Sequence, residues 1–412
     1  MTAHQWWGMH RHRILQFASW AMACDALIWL SYEFWRLLFQ RGVMGAVDLR
    51  NRHTEVHQWF ARQPVYQVIE PAWYPPATYA LLWPFVGWLD FTQARWLWAL
   101  VTVAAIRWFV TMLERESLAL PGLERTFVAL IPLATYPLGA GIGNGQLPVL
   151  VLAAVVAALV ALAGAARGWR RDLLAAVLLL TALVKPSISA PFFWIALVLP
   201  GGWRPVVLAA AGYLAATALA ASFQAAGLFE LLREWLSILS RVSGETGLYS
   251  RYANVQIWLV WLNLKALALP ATLLLMIALG VWVYRYRRAD LWVLIGVTAL
   301  VTRFWSYHLW YDDLLIVLPL VTLFRLTKTS PSGHDRLMAG GLLAVTLACM
   351  LAPGGLYVFP VPWNVVYTGI ETVVWLGVLA FLLRQAGGAS LADQSASTLR
   401  RAPERLHRGP LG

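Results

Sequence analysis

The sequence predicts an all-α polytopic membrane protein, and three observations carry that prediction. Of its 412 residues, 60% are hydrophobic and only 13% are charged, against about 45–50% and about 25% in a soluble domain. Apolar runs of about 20 residues, each enough to cross a hydrocarbon core of about 30 Å, recur from end to end. Many of the 24 tryptophans fall near the ends of those runs, at the depth where indoles favour the headgroups.

Taken in order, the runs give spans near 14–38, 94–113, 126–142, 147–165, 173–185, 188–200, 206–224, 264–284, 291–306, 312–325, 337–352 and 364–383. About 10–13 crossings are expected, since element boundaries are the least certain part of such a reading. The basic start "MTAHQWWGMHRHR" leads into a full-length first span with no small-residue cleavage site, so it reads as an uncleaved first helix. The net charge of +12 suggests nucleic acid only until its distribution is read. With the N-terminus inside, Arg11, Arg13, Arg115, Arg125, Arg167, Arg170, Arg171, Arg204, Arg285, Arg287, Arg288, Arg325, Lys328 and Arg336 all fall in inside segments. That is the positive-inside bias. Basic charge here sets orientation, and no nucleic-acid partner is expected. Both termini are placed in the cytoplasm.

Residues 1–385 read as one membrane domain, followed by a polar and disordered cytoplasmic tail over 386–412. Two loops on the outer side are long. The first, about 40–93, contains "GAVDLRNRHTEVHQWF" and then "EPAWYPPATYALLWPFVGWLDF". The Pro-Pro pair starts a helix over 77–89, too short to span and therefore laid along the membrane surface. The second loop, about 225–256, includes "FELLREWLSILSR". There Phe229, Leu232, Trp235, Leu236 and Leu239 recur at helical spacing, as in a helix lying in the interface. Cys24 and Cys349 both lie in apolar segments, so neither a disulfide framework nor a thiol metal site is expected.

Ionisable residues near membrane depth are costly and usually face a cavity. On this topology several reach the outer end of the bundle from distant segments. The first loop supplies Asp48, Arg50, Arg52, His53, Glu55 and His57; the "GNGQ" turn supplies Asn144 and Gln146; the Lys-Pro break supplies Lys185. The second loop adds Tyr252, Asn254 and Gln256, and "TRFWSYHLWYDD" adds Arg303, His308, Tyr311, Asp312 and Asp313. Blander readings stand beside these. Arg50 and Arg52 read equally well as solvated charges. Asp48 suits a helix cap, and one member of Asp312-Asp313 suits a cap on the tenth span. His308 reads equally as a core hydrogen-bonder or a ligand contact.

The order of "VDLRNRHTEV", "YPPATYALLWPF", "GNGQ", "LVKPS" and "RFWSYHLWYDDLLIVLP" resembles glycosyltransferase family 87 over nearly all of 14–325. These are integral membrane enzymes of the GT-C type, related to polyprenol-phosphate-mannose-dependent mannosyltransferases. The resemblance implies a GT-C-like bundle in a bacterial cytoplasmic membrane, with outer-face juxtamembrane helices and a catalytic aspartate in the first outer loop, here Asp48. The expected enzyme moves a hexose or pentose from a polyprenyl-phosphate donor to a lipid or glycan acceptor on the outer face. One base then suffices, because a phosphate monoester leaves without protonation. A glycoside hydrolase would need two carboxyls. Lys185, Arg303 and His308 are the expected donor-phosphate ligands. Arg50, Arg52, His53, Glu55, Tyr74, Asn144, Gln146, Tyr252, Asn254, Trp305 and Tyr311 are the expected substrate contacts. Arg52 and His53 stand where family members often carry a tyrosine, and one histidine stands where two are common. No Rossmann fingerprint, P-loop or aspartate-rich metal motif is present, so no cofactor or metal is expected. The rival reading is a transporter or flippase of a polyprenyl-linked glycan, which would use the same cations without a base.

Overall fold

A computed structural model describes residues 3–42, 44–69, 72–242 and 254–400. Helix α1 (Ala3–Leu38) ends where Arg95 donates to the carbonyls of Arg36 at 3.1 Å and Gln40 at 3.0 Å, and also to that of Leu37. These are carbonyls that a helix end leaves without an internal partner. Helix α2 (Val47–Phe60) follows, then α3 (Pro76–Val86), which begins on a proline as expected. Helix α4 (Phe91–Glu116) opens with a capping box in which Asp90 and Gln93 each accept from the other's backbone N–H.

The span expected over 126–142 is two helices, α5 (Leu123–Leu133) and α6 (Tyr136–Asn144). The break follows from Pro137 in the first turn of α6 and from extended Thr135. The Ala134 carbonyl there accepts from the Ala352 N–H at 3.0 Å. Helix α7 (Pro148–Ala163) then turns back from α6 through 118° at the "GNGQ" segment. Next come α8 (Trp169–Ala182), α9 (Pro186–Val198), α10 (Trp203–Ala221) and the surface helix α11 (Leu228–Val242). Leu231 and Ile238 of α11 are buried against the protein, while Phe229 and Leu236 are exposed.

The chain continues through α12 (Val255–Trp261), α13 (Ala268–Arg285) and α14 (Leu291–Trp305). Instead of one helix over 312–325, a 3₁₀ turn at Trp310–Ile316 leads into α15 (Val317–Thr329). Helices α16 (Gly333–Met350) and α17 (Trp363–Arg400) complete the bundle. The backbone of α17 stays helical past residue 386, and residues 401–412 lie outside the described part.

The protein is an all-α polytopic membrane protein. By length and composition five described helices can cross a bilayer, or six if α6 and α7 form one broken span. The other apolar runs are shorter helices, among them α9 and α14, which explains why this number is below the 10–13 expected. Helix α7 is buried on nearly every side, packed against α4, α8 and the 3₁₀ turn, and that turn in its own right packs against α14 and α15. Helices α10 and α13 instead expose Leu214, Leu269 and Leu274 at the periphery. Phe91 at the start of α4 lies beside Arg50 and His53, whereas Glu116 at its end meets Arg325 and Trp292. The two ends of the bundle therefore carry different polar sets.

Candidate active site

Helix α2 is seated on the "GNGQ" turn. The Ala46 N–H donates to the Gly143 carbonyl at 3.1 Å, and Gly145 (φ +71°) lies against Leu49. A Cβ at Gly145 would stand 2.5 Å from that of Leu49, so only glycine allows this approach. Asp48 is thereby held in the first turn of α2, half-buried, with its carboxylate hydrogen-bonded to the Gln146 side chain. A carboxylate only accepts, so Gln146 meets it with Nε2. The Oε1 of Gln146 accepts from Lys185 Nζ at 3.4 Å.

Lys185 arrives from the Lys-Pro break before α9. Its ammonium donates to Asp312 Oδ1 at 2.5 Å and lies 4.9 Å from the ring centre of Tyr311. The other oxygen of Asp312 is 3.2 Å from His308 Nδ1 and accepts from the Leu309 N–H at 3.2 Å. His308 Nε2 is 3.3 Å from the Ser306 hydroxyl. On the other side of Asp48, Arg52 lies 2.7 Å from Glu55 and 4.3 Å from the ring centre of Tyr74. Asp48, Arg52, Tyr74, Gln146, Lys185, His308, Tyr311 and Asp312 thus form one cluster, from five segments of sequence. Lys185, His308, Asp312 and Tyr311 are buried, and Asp48 keeps a partly open face.

Burial shapes the acid–base character of this cluster. Desolvation pushes the Asp48 carboxyl above its ordinary value, with Asp312 adding to the rise. The Gln146 hydrogen bond and the charges of Arg52 and Lys185 oppose that rise without cancelling it. Glu55 is pushed up by burial to about 7, against the pull of Arg52. Burial holds the His308 imidazole below its ordinary value although Asp312 favours its charged form. A base that is half-protonated nearer neutrality transfers protons more effectively than an ordinary aspartate.

Several expected site residues sit elsewhere. Arg50 turns back to the carbonyls of Gly42 at 2.9 Å and Gly45 at 3.4 Å and covers Phe91. His53 Nε2 meets the Leu89 carbonyl at 2.9 Å and stacks near His57, so it ties α2 to the end of α3. Asn144 accepts from Arg36, which is 3.1 Å from Glu33 of α1. Asn254 caps α12 by accepting from the Ile257 N–H at 2.9 Å. Trp305 donates to the Ser187 carbonyl at 3.0 Å. Arg303, expected at the donor phosphate, is fully buried and paired with Asp313. Asp313 also accepts from Tyr136 at 2.6 Å, and that hydroxyl lies 3.2 Å from Glu371 of α17. Tyr252 lies outside the described residues.

Asp312 is the main member that the sequence reading left out of the site. It does cap the turn at Leu309, as one of the pair was expected to, but the same carboxylate also holds Lys185 and His308. The spacing of His308 and Asp312, four apart beside an aromatic run, was the available signal. The periodicity of α2 was another: Asp48, Arg52 and Glu55 share one helical face, and Arg50, His53 and His57 share another. Among the described residues, no three or more His, Cys, Asp or Glu side chains are grouped to hold a metal ion.

The sequence model of glycosyltransferase family 87 matches residues 73–309, more than half of the chain. The chain belongs to glycosyltransferase family 87. No curated protein matches it. The matched region of this family 87 enzyme includes Tyr74, Gln146, Lys185 and His308, and it stops short of both Asp48 and Asp312. The fold carries those two carboxylates to the matched residues. The protein is a membrane glycosyltransferase, and the cluster around Asp48 is its candidate active site.

Proposed function

We propose that this enzyme transfers a hexose or pentose, mannose included, from a polyprenyl-phosphate donor to a glycolipid or glycan acceptor on the outer face of a bacterial cytoplasmic membrane. The observation that carries the reading is the placement of Asp48. It is the one acidic residue of the cluster that is not fully buried, and both neighbouring cations have carboxylate partners of their own, Glu55 and Asp312. A carboxylate with no cation of its own, close to the Lys185 ammonium, is what transfer from a sugar phosphate requires.

In the proposed step, Asp48 accepts the proton of the acceptor hydroxyl as that oxygen bonds to the anomeric carbon. The bond from that carbon to the phosphate oxygen breaks, and its electron pair leaves with the phosphate. Lys185 stabilises the charge that gathers there, and His308, between Asp312 and Ser306, stands in the same cluster. No acid is needed, because the leaving phosphate is a weak base at neutral pH. A single displacement inverts the anomeric centre, so a β-linked donor gives an α-linked product. Arg52 and Tyr74 form the side wall for the sugar. Surface helices α3 and α11 bracket the entrance on the lipid side, since Trp235 of α11 donates to the Trp73 carbonyl just before α3 at 3.0 Å. The outer-face assignment is supported by the inside bias of Arg and Lys at the opposite bundle end, where Arg325 pairs with Asp290 and Lys328 with Glu124.

The test is turnover in liposomes of a panel of radiolabelled polyprenyl-phosphate sugars, with membrane-lipid extract as acceptor, for wild type and Asp48→Asn. Label leaving the donor only in wild type is the expected result. Equal turnover in both proteins removes Asp48 as the base. Label that crosses the bilayer while still on its lipid sinks the transferase reading in favour of a flippase.

A further inference from the structure

We propose that Asp312 is a positioning residue of the transfer reaction, its carboxylate clamping Lys185 on one oxygen and His308 on the other and standing as counter-charge between Lys185 and Asp48. This rests on the reading of Asp48 as the base. The geometry is that of a built clamp. Asp312 Oδ1 takes the Lys185 ammonium at 2.5 Å, and Oδ2 takes His308 Nδ1 and the Leu309 N–H, each at 3.2 Å. All three side chains are buried. The backbone bond fixes the carboxylate in the plane of the turn, so the clamp cannot rotate away without breaking the start of the 3₁₀ segment.

Two consequences follow for the reaction. A carboxylate accepts and never donates, so a neutral His308 carries its proton on Nδ1 and turns the Nε2 lone pair toward the Ser306 hydroxyl. The ring is thereby fixed in one tautomer at the pocket wall. Lys185 is held within reach of Gln146, whose amide joins it to Asp48. Without a counter-charge, that ammonium would act on Asp48 undiminished and make it a poorer base. Asp312 also acts on Asp48 in its own right, in the opposite direction to Lys185. The remaining charged or titratable groups around Asp48 are Arg52 and Glu55 on α2, and Tyr74 and Tyr311 on the facing segments. None of them bridges to Lys185 as Asp312 does. Arg303 is paired with Asp313 behind the turn.

The test is a pH titration of the Asp48 carboxyl by ¹³C NMR in nanodiscs, on protein labelled at aspartate carboxyl carbons, with its signal assigned by loss in Asp48→Asn. Asp312→Asn should lower the midpoint by roughly one pH unit, a tenfold change in proton affinity, and Lys185→Met should raise it by about as much. Opposite directions mark a charge relay, because a packing defect has no reason to change sign between the two variants. Asp312→Asn should also reduce kcat roughly tenfold or more with KM less affected. An Asp48 midpoint that is unmoved in Asp312→Asn, or that moves the same way in both variants, overturns the proposal. Should Asp312→Asn not fold, the double variant Lys185→Met/Asp312→Asn is compared with Lys185→Met. The double variant should have the lower midpoint, and equality overturns the proposal. Full turnover by Asp48→Asn would reject the base while leaving the midpoint shifts to report on the clamp.

Discussion

Gly145 and Leu49 are in contact so close that a side chain on the glycine would bring two Cβ atoms to 2.5 Å. Leu49 follows the candidate base, so this contact sets where Asp48 stands relative to Gln146 one residue beyond the glycine. Gly145→Ala would add a Cβ both at a positive φ, costing about 1–2 kcal/mol, and into occupied space. Helix α2 would have to shift. The expected outcome is a loss of roughly 10–100-fold in kcat, because misplacing a catalytic group by about 1 Å has that order of effect. Transfer kinetics alongside thermal unfolding in detergent would check it. Wild-type kcat in this variant would mean that α2 does not depend on the turn.

The acid limb of the rate profile gives a second outcome. As the proposed base Asp48 would act only when ionised, and desolvation holds its carboxyl above the ordinary 3.8. Activity should therefore fall, as pH is lowered, at a pH above that of an ordinary aspartate. The sign follows directly: the raised value keeps the proton on at higher pH, so the limb moves up. Measuring kcat/KM against pH reports this limb for the free enzyme. A limb at or below the ordinary aspartate range would argue against Asp48 as the titrating base.

The bundle and much of the site could be read in the sequence because charge is scarce in this chain. Asp48, Gln146 and Lys185 stood out as polar groups at the ends of apolar runs, and all three meet. Arg50, His53 and Asn144 stood out in the same way and do not. The difference is a matter of which way each one points. Residues two or five positions from Asp48 project from another face of α2, and the chain there gives no apolar stripe strong enough to announce a helix. Arg303 and Asp313 illustrate a second limit. Arg303 looked like a site residue, yet it is paired with Asp313 inside the core, a pairing that depends on the 3₁₀ turn after α14. The break between α5 and α6 was hidden for a simpler reason. The run over 126–142 is apolar enough for a single span, and Pro137 interrupts it from within.

That buried pair supports a stability prediction. Asp313→Asn removes a carboxylate that pairs with the buried Arg303 guanidinium, and breaking a buried pair typically costs about 3–5 kcal/mol. Arg303→Met/Asp313→Asn removes both charges and should recover part of that loss, since an apolar side chain carries no desolvation penalty. Thermal unfolding of the two variants in one detergent would check the order. Equal melting temperatures for Asp313→Asn and wild type would show that the pair contributes nothing to the fold.

Glu55 offers a pH test of stability that is separate from activity. Its folded value is about 7, raised from 4.5 chiefly by desolvation. Between those two values the folded protein binds a proton that the unfolded chain has released. Stability from this group is therefore fully present below about 4.5 and is lost as pH rises through about 7. Other carboxylates titrate in the same window, so the informative quantity is the difference between wild type and Glu55→Gln. The amide mimics the protonated acid and should be insensitive to pH there. Relative to wild type, Glu55→Gln should gain roughly 1–3 kcal/mol between pH 5 and pH 8. Arg52 opposes the shift through its contact with Glu55, and Arg52→Met should widen the pH dependence of the otherwise wild-type protein. If the wild-type and Glu55→Gln stability curves run parallel from pH 5 to pH 8, Glu55 is ionised throughout and Arg52 outweighs the cost of its burial.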